Sequence, residues 1–204
     1  MRASTRREFV AGPAGKIECA VDAPWGAARE SKDAARGVAL IAHPHPQFGG
    51  TLDNKVVQTL ARAFVELGYE AWRPNFRGVG ESEGSFDQGN GEVEDLHAVY
   101  EKINAATVVL GGFSFGAAMQ VRLSTRVKFE RMVLVGVSAA KFALPPVPAG
   151  TIVIHGERDE TVPLAAVLDW ARPQDLPVVL VPGADHFFHR KLHVLRGIVR
   201  SSWQ

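Results

Sequence analysis

The residues whose arrangement carries the most chemistry are Gly112-Phe113-Ser114-Phe115-Gly116, a Gly-x-Ser-x-Gly motif. The apolar run Thr107 to Leu110 precedes it and Ala117 to Val121 follows it. That context predicts a strand entering the motif and a helix leaving it. A serine on such an elbow is held above the end of a sheet, and the residues two places before and after it must be small. Gly112 and Gly116 meet that need. The helix that starts just after Ser114 aims its positive end at any charge that forms on a bound substrate.

A serine hydroxyl is a weak nucleophile, so it needs a base, and the base needs a partner to orient it. On elbows of this kind the order along the chain is serine, acid, histidine. Thr151 to Gly156 predicts a strand that ends near Glu157-Arg158-Asp159-Glu160, and Val178 to Val181 predicts another, followed by Asp185-His186-Phe187-Phe188. Asp159 and His186 are the expected acid and base. Asp159 lies 45 residues after Ser114, and His186 a further 27. All three then fall at the carboxyl ends of strands, where open α/β sheets place their sites. Glu157 and Glu160 read as solvated loop carboxylates. Asp185 is too near His186 in sequence to face its ring easily.

Negative charge on a substrate oxygen calls for two N–H donors, one from the residue after the serine and one from the loop after an early strand. The first is Phe115. The second must come from Ala42 to Gly50, where Pro44 and Pro46 have no N–H to give. His45 is the expected donor, with Gln47 and Phe48 as fallbacks. Phe48, Phe115, Phe187 and Phe188 fall near these loops, and apolar walls compete with core packing as their role. Phe48 and Phe187 are the expected substrate-binding residues.

The other histidines point to no further chemistry. His43 and His45 are expected to shape the pocket or pack in the early loop, a direct chemical role for either side chain being the lesser alternative, and His155 is expected to pack beneath the acid loop. His189 and His193 are one helical turn apart, a spacing that suits a metal pair, but no third ligand of matching spacing is near and helix surface is the better reading. His97 sits in a predicted helix with no evident partner. No metal and no cofactor are expected. Cys19, the single cysteine, lies in a predicted strand, Lys16 to Val21, and cannot form an internal disulfide. That fits a reducing cytoplasm.

At 204 residues and 46% apolar, the chain suits one domain spanning 1–204 with a sizeable core. A net charge of +1 makes no case for nucleic acid. No apolar run approaches the 18 or so residues of a membrane span. Ser4 to Val10 resembles a twin-arginine export signal, but no long apolar segment follows it. A first strand over Glu8 to Ala11, turning at Gly12 to Gly15, is the better reading.

Strands are expected near 8–11, 16–21, 37–42, 69–74, 107–112, 131–137, 151–155 and 177–181. Helices are expected near 54–67, 91–105, 115–126, 163–172 and 188–201. Strands that alternate with helical segments predict an α/β fold, with about eight mostly parallel strands covered by helices on both faces. Val56, Val57, Leu60, Ala61, Phe64 and Leu67 form one apolar helical face, and Gly68 follows as its stop. The spare stretch 138–150 is too short for a lid domain, so an open site is expected. Monomer and homodimer both stay open.

Three stretches narrow the reading. They are His43-Pro44-His45-Pro46 with Gly49-Gly50-Thr51 and Asn54-Lys55-Val56-Val57; Arg73 to Gly84; and Phe86-Asp87 with Gly91-Glu92 and Asp95. Together with the elbow, they resemble the α/β-hydrolase superfamily over nearly the whole chain. More narrowly they resemble a small, lidless bacterial group of carboxylesterase type related to the dienelactone hydrolases. His43-Pro44 stands where many of these hydrolases have His-Gly. Dienelactone hydrolases proper carry a cysteine nucleophile, whereas Ser114 occupies the elbow here, so their substrate does not transfer. The resemblance implies serine esterase chemistry on a small-molecule ester. Thioesterase, small-peptide hydrolase and acyltransferase would use the same residues, and a non-catalytic binding module is the alternative outside enzymes. Arg77 is expected to brace loops through carboxylates and carbonyls.

Overall fold

The chain enters its sheet through a hairpin. In the computed structural model, which describes residues 4–24 and 35–203, β1 (Thr5–Gly12) and β2 (Gly15–Asp22) pair antiparallel from Thr5 opposite Asp22 to Gly12 opposite Gly15. Pro13 and Ala14 alone make the turn, and Gly15 takes the left-handed region at φ 117°. The remaining elements alternate as β3 (Gly37–Ala42), α1 (Lys55–Glu66), β4 (Tyr69–Pro74), α2 (Asn90–Ile103), β5 (Val108–Phe113), α3 (Phe115–Ser124), β6 (Met132–Val135), β7 (Ile152–Gly156), α4 (Leu164–Ala171), β8 (Val178–Val181) and α5 (Leu192–Ser201).

The eight strands form one sheet in the order β1-β2-β4-β3-β5-β6-β7-β8, parallel from β4 to β8. The central strands are near-continuous apolar runs because both of their faces are covered. One face carries α1 and α5, with Phe64, Leu195 and Val199 in its core. The other carries α2, α3 and α4, with Val93, Leu96, Met119 and Val167. This is the α/β-hydrolase architecture.

The topology also fixes where a site can form. The chain leaves β3 through α1 on one face toward β4, and leaves β5 through α3 on the other face toward β6. The connections therefore diverge at β3 and β5, and the crevice at the carboxyl ends of these neighbouring strands is the switch point where open sheets bind ligands. Ser114 follows β5 directly, and the loop from His43 follows β3.

Local signals explain most element ends. Asn54 caps α1 by accepting the Val56 N–H at 2.9 Å, and Gly68 stops it at φ 90°. The apolar face of α1 is buried at Val56, Val57, Leu60, Ala61 and Phe64, while Leu67 is only partly buried. Phe64 packs against Trp203 at 4.9 Å between ring centroids; full burial of such a side chain contributes about 3 kcal/mol at most.

Of the boundaries that differ from the sequence expectation, those of β1, β6 and α5 have a nameable cause. β1 starts at Thr5, so the arginine pair belongs to an edge strand: Arg6 pairs with Glu8 and Glu70, and Arg7 with Glu18. β6 ends at Val135 because Gly136, at φ 53°, turns the chain out of the sheet. α5 starts at Leu192 instead of 188. Phe188 is fully buried, so its apolar character reads as helix face, yet it and Arg190 hold left-handed backbone at φ 54° and 60°. Among the described residues, no helix is long and apolar enough to cross a membrane.

Candidate active site

Ser114 sits where β5 turns into α3, with φ 55° and ψ −116°. A non-glycine residue pays strain for that backbone, and the packing around it leaves the chain no other path. A Cβ at Gly112 would lie 2.6 Å from Ala117 N and Cα, and one at Gly116 would lie 2.4 Å from the carbonyl oxygens of Ala42 and His43. Both glycines are required so that α3 can cross close to its own strand and to the end of β3.

Three side chains predicted to act together do meet. His186 Nε2 lies 3.0 Å from Ser114 Oγ, and His186 Nδ1 lies 2.6 Å from Asp159 Oδ2. The other carboxylate oxygen of Asp159 accepts the N–H groups of Thr161 and Val162 at 2.9 and 2.8 Å. A carboxylate only accepts, so the His186 proton belongs on Nδ1 and Nε2 faces the serine hydroxyl as an acceptor. Ser114, Asp159 and His186 are each less than a tenth exposed. Such a chain can take the proton from Ser114 as its oxygen attacks, and return it.

The surroundings hold the imidazole in place. Its ring lies between Phe113 and Phe187, with centroids 4.8 and 5.2 Å away. Gly136 runs beneath it, and a Cβ there would come within 3.3 Å of His186 Cε1. The competing acids are engaged elsewhere. Glu157 accepts the Gly183 N–H at 2.6 Å, Glu160 is exposed, and Asp185 pairs with His189.

The loop after β3 is a tight turn. The Phe48 N–H donates to His45 O at 3.1 Å, and the Gln47 N–H donates to His45 Nδ1 at 3.3 Å. Both fallback donors are thus tied within the turn. The His45 N–H meets no acceptor among the described residues, and the Phe115 N–H opens α3, where a helix has no partner for it. The rings of these two residues lie 5.0 Å apart. Of the four aromatics weighed for the pocket, Phe187 is 37% exposed and meets His186 edge to face, and Phe48 is 78% exposed and packs at a tilt against His45 with centroids 4.7 Å apart. Phe115 and Phe188 are core residues. Sequence reasoning missed Phe86, 4.8 Å from His45, and Phe142, 5.6 Å from Phe115. It also missed Ser138, whose Oγ lies 3.4 Å from Ser114 Oγ; its position just past a predicted strand was the available signal.

The remaining candidates are structural. His43 is fully buried, with Nδ1 2.6 Å from Pro44 O and Nε2 accepting the Phe76 N–H at 2.9 Å. It ties the β3 loop to the β4 loop. His155 packs beneath the acid loop as expected, 3.0 Å from Val162 O and 3.7 Å from Asp159 Oδ2. His189 stands in the turn before α5 rather than on the helix, held by Asp185, because the left-handed residues beside it delay the helix. His97 faces Glu101 at 3.9 Å. Arg77 forms a two-pronged pair with Asp95, 2.8 Å in each prong, which braces the β4 loop on α2. Burial pushes the Cys19 thiol up to about 12, so it is no nucleophile. Among the described residues, no group of three or more His, Cys, Asp or Glu is placed to hold a metal.

Burial of His43 has a consequence for stability. Loss of solvent lowers its pKa to about 4, from the ordinary 6.5, and burial pushes His155 in the same direction. Between those values the unfolded chain binds a proton that the folded chain does not, so stability falls as pH drops from 6.5 toward 4. The His43 contribution predicts a loss of about 2 kcal/mol between pH 7 and pH 5. Urea unfolding at both values measures it, and equal unfolding free energies would remove the argument.

No family model matches the sequence. An uncharacterized protein of Rickettsia prowazekii is 32% identical over 199 residues, which cover 88% of this chain and 81% of the relative. A lidless α/β serine hydrolase structure from Xanthomonas campestris is 37% identical, covers 99% of this chain and 94% of its own, and superimposes with a TM-score of 0.86. An α/β serine hydrolase homologue from Coxiella burnetii is 35% identical over the full length of both chains, with a TM-score of 0.88.

Proposed function

The chain belongs to the α/β serine hydrolases without a lid, and within that class we propose that it cleaves carboxylic esters of small to medium acyl chains through an acyl-enzyme on Ser114. The observation that carries the reading is the unbroken chain from Asp159 Oδ2 through His186 to Ser114 Oγ, at 2.6 and 3.0 Å.

In this mechanism His186 Nε2 takes the hydroxyl proton as Ser114 Oγ attacks the ester carbonyl. The oxyanion is held by the N–H groups of Phe115 and His45, which meet no other acceptor among the described residues, and by the positive end of α3. Removing one such donor costs about 3–4 kcal/mol of transition-state stabilisation in acyl transfer. His186 then gives its proton to the departing alcohol, and Asp159 steadies the imidazolium in between. Water gives its proton to His186, adds to the acyl carbonyl and repeats the sequence, which frees the acid and restores Ser114.

The exposed faces of Phe48 and Phe187 support an apolar approach for the acyl or alcohol part. The segment between β6 and β7 contains no helix that would roof the site. Both features favour modest ester substrates that enter without interfacial activation.

Hydrolysis of p-nitrophenyl esters from acetate to palmitate tests the reading. The expected result is turnover that is highest on short and medium chains and falls off toward palmitate. Wild-type protein that labels with a fluorophosphonate but turns over no ester of any length would sink the ester assignment while leaving a reactive serine. Preferential cleavage of a matched thioester, or acyl transfer to added alcohol in place of water, would redirect it to those activities.

A further inference from the structure

We propose that Ser138 is a fourth catalytic residue, whose hydroxyl donates a hydrogen bond to Ser114 Oγ as charge gathers there. This rests on the acyl-enzyme reading above.

Ser138 lies on the segment that leaves β6. Gly136 turns that segment under the His186 ring, and Ser138 then comes up beside the elbow. Its N–H reaches Ser114 O at 3.4 Å, and its Oγ is 3.4 Å from Ser114 Oγ. The residue is only 6% exposed, so water does not compete freely for its hydroxyl. Among the described residues, Ser114 Oγ is its hydrogen-bond partner.

The proton inventory around Ser114 Oγ sets the direction of that bond. Its own hydrogen goes to His186 Nε2, which is an acceptor because Nδ1 is protonated toward Asp159. Ser114 Oγ therefore presents lone pairs to Ser138, and the Ser138 hydroxyl is the donor. At 3.4 Å the resting bond is long and weak. Hydrogen bonds to charged oxygen are shorter and about twice as strong as neutral ones, and bonds that matter in catalysis are often loose before substrate arrives. A contact that is weak at rest and strong in the transition state lowers the barrier.

The step balances without new reagents. During attack the Oγ–H bond breaks, its proton passes to His186, the oxygen electron pair forms the bond to the acyl carbon, and the carbonyl π pair moves onto the carbonyl oxygen. His186 then gives that proton to the departing alcohol. When water attacks the acyl-enzyme it leaves a proton on His186. The bond from acyl carbon to Oγ breaks, the pair returns to Oγ, and His186 passes the water-derived proton to it. Ser138 keeps its own proton throughout.

Fluorophosphonate labelling reads the attack of Ser114 alone, so it is the first assay, with p-nitrophenyl ester kcat/KM beside it. Ser138→Ala removes the donor, and Ser138→Cys keeps nearly the same volume with only a weak donor. Both variants are expected to label about tenfold more slowly than wild type, with kcat/KM falling in parallel and unchanged thermal midpoints. Labelling within about twofold of wild type in either variant overturns the proposal, since tenfold is the effect a single hydrogen bond should have. Slower labelling with lowered midpoints in both variants also overturns it, because it assigns Ser138 to holding the segment in place. A folded wild type that does not label at all defeats the Ser114 assignment itself, and that result is distinct from either of the others.

Discussion

Ser114→Ala is expected to lower ester turnover roughly a millionfold in kcat, since removing the nucleophile of a hydrogen-bonded serine–histidine–acid set costs about as much as removing the whole set. Fluorophosphonate labelling should vanish with it. The fold should survive. Alanine keeps the Cβ, so it meets the same strain at φ 55° and ψ −116° that serine already bears. The hydroxyl it removes contacts His186 and Ser138, both polar groups at the end of the sheet rather than in its core. Thermal unfolding of the variant should therefore stay within a few degrees of wild type, on the order of the shift from one lost hydrogen bond. Retained turnover at even a hundredth of the wild-type rate would show that another group attacks, and Ser114 would lose its role.

The elbow was legible because its physics is local. A tight strand-to-helix passage demands glycine at 112 and 116, and the contacts that forbid a Cβ there lie within the elbow itself and at the end of the neighbouring β3. Asp159 and His186 were legible for a different reason. Parallel strands buried on both faces are written as apolar runs, so the ends of β7 and β8 can be located in the sequence, and polar residues just past them stand where sites form. Chain order admits Glu157 and Glu160 as well as Asp159, and reading the two glutamates as solvated loop carboxylates leaves Asp159.

What stayed hidden depends on contacts between distant elements. Phe188 has the apolar character of a helix face, and only the packed structure shows it filling the core from a left-handed turn before α5. His189 followed that mistake, and lies in the turn with Asp185 instead of one helical turn from His193. Ser138 could not be paired with Ser114 from sequence because the pairing depends on Gly136 leaving the sheet early. In the sequence, His43 reads as shaping the pocket, packing in its loop or acting directly, and not as tying two loops together. Its bonds to Pro44 and Phe76 join two loops that are adjacent only because β3 and β4 are neighbours in the sheet. The sequence locates strand ends and names polar residues there; the sheet order decides which of them touch.

Asp159→Asn separates orienting the base from merely filling space, and it is expected to lower kcat about four orders of magnitude. The carboxylate makes two kinds of contact. Its Oδ1 accepts two backbone N–H groups, from Thr161 and Val162, and its Oδ2 accepts from His186 Nδ1. An asparagine has one oxygen and one NH2 for these two places. With the oxygen toward Thr161 and Val162, the NH2 faces His186. The ring must then present a lone pair at Nδ1 and carry its proton on Nε2, where it cannot accept from Ser114. With the amide reversed, His186 keeps its tautomer, but the NH2 opposes two backbone donors in a buried loop. Losing those two bonds costs more than losing one, so the first arrangement prevails and the base is held in the wrong tautomer. The acid loop keeps both of its backbone bonds in that arrangement, which predicts a folded protein with little activity. Steady-state kinetics beside a thermal melt measures this. A variant within about tenfold of wild type would mean that another carboxylate orients His186 or that none needs to, because an error of tautomer at this position is not a mild one.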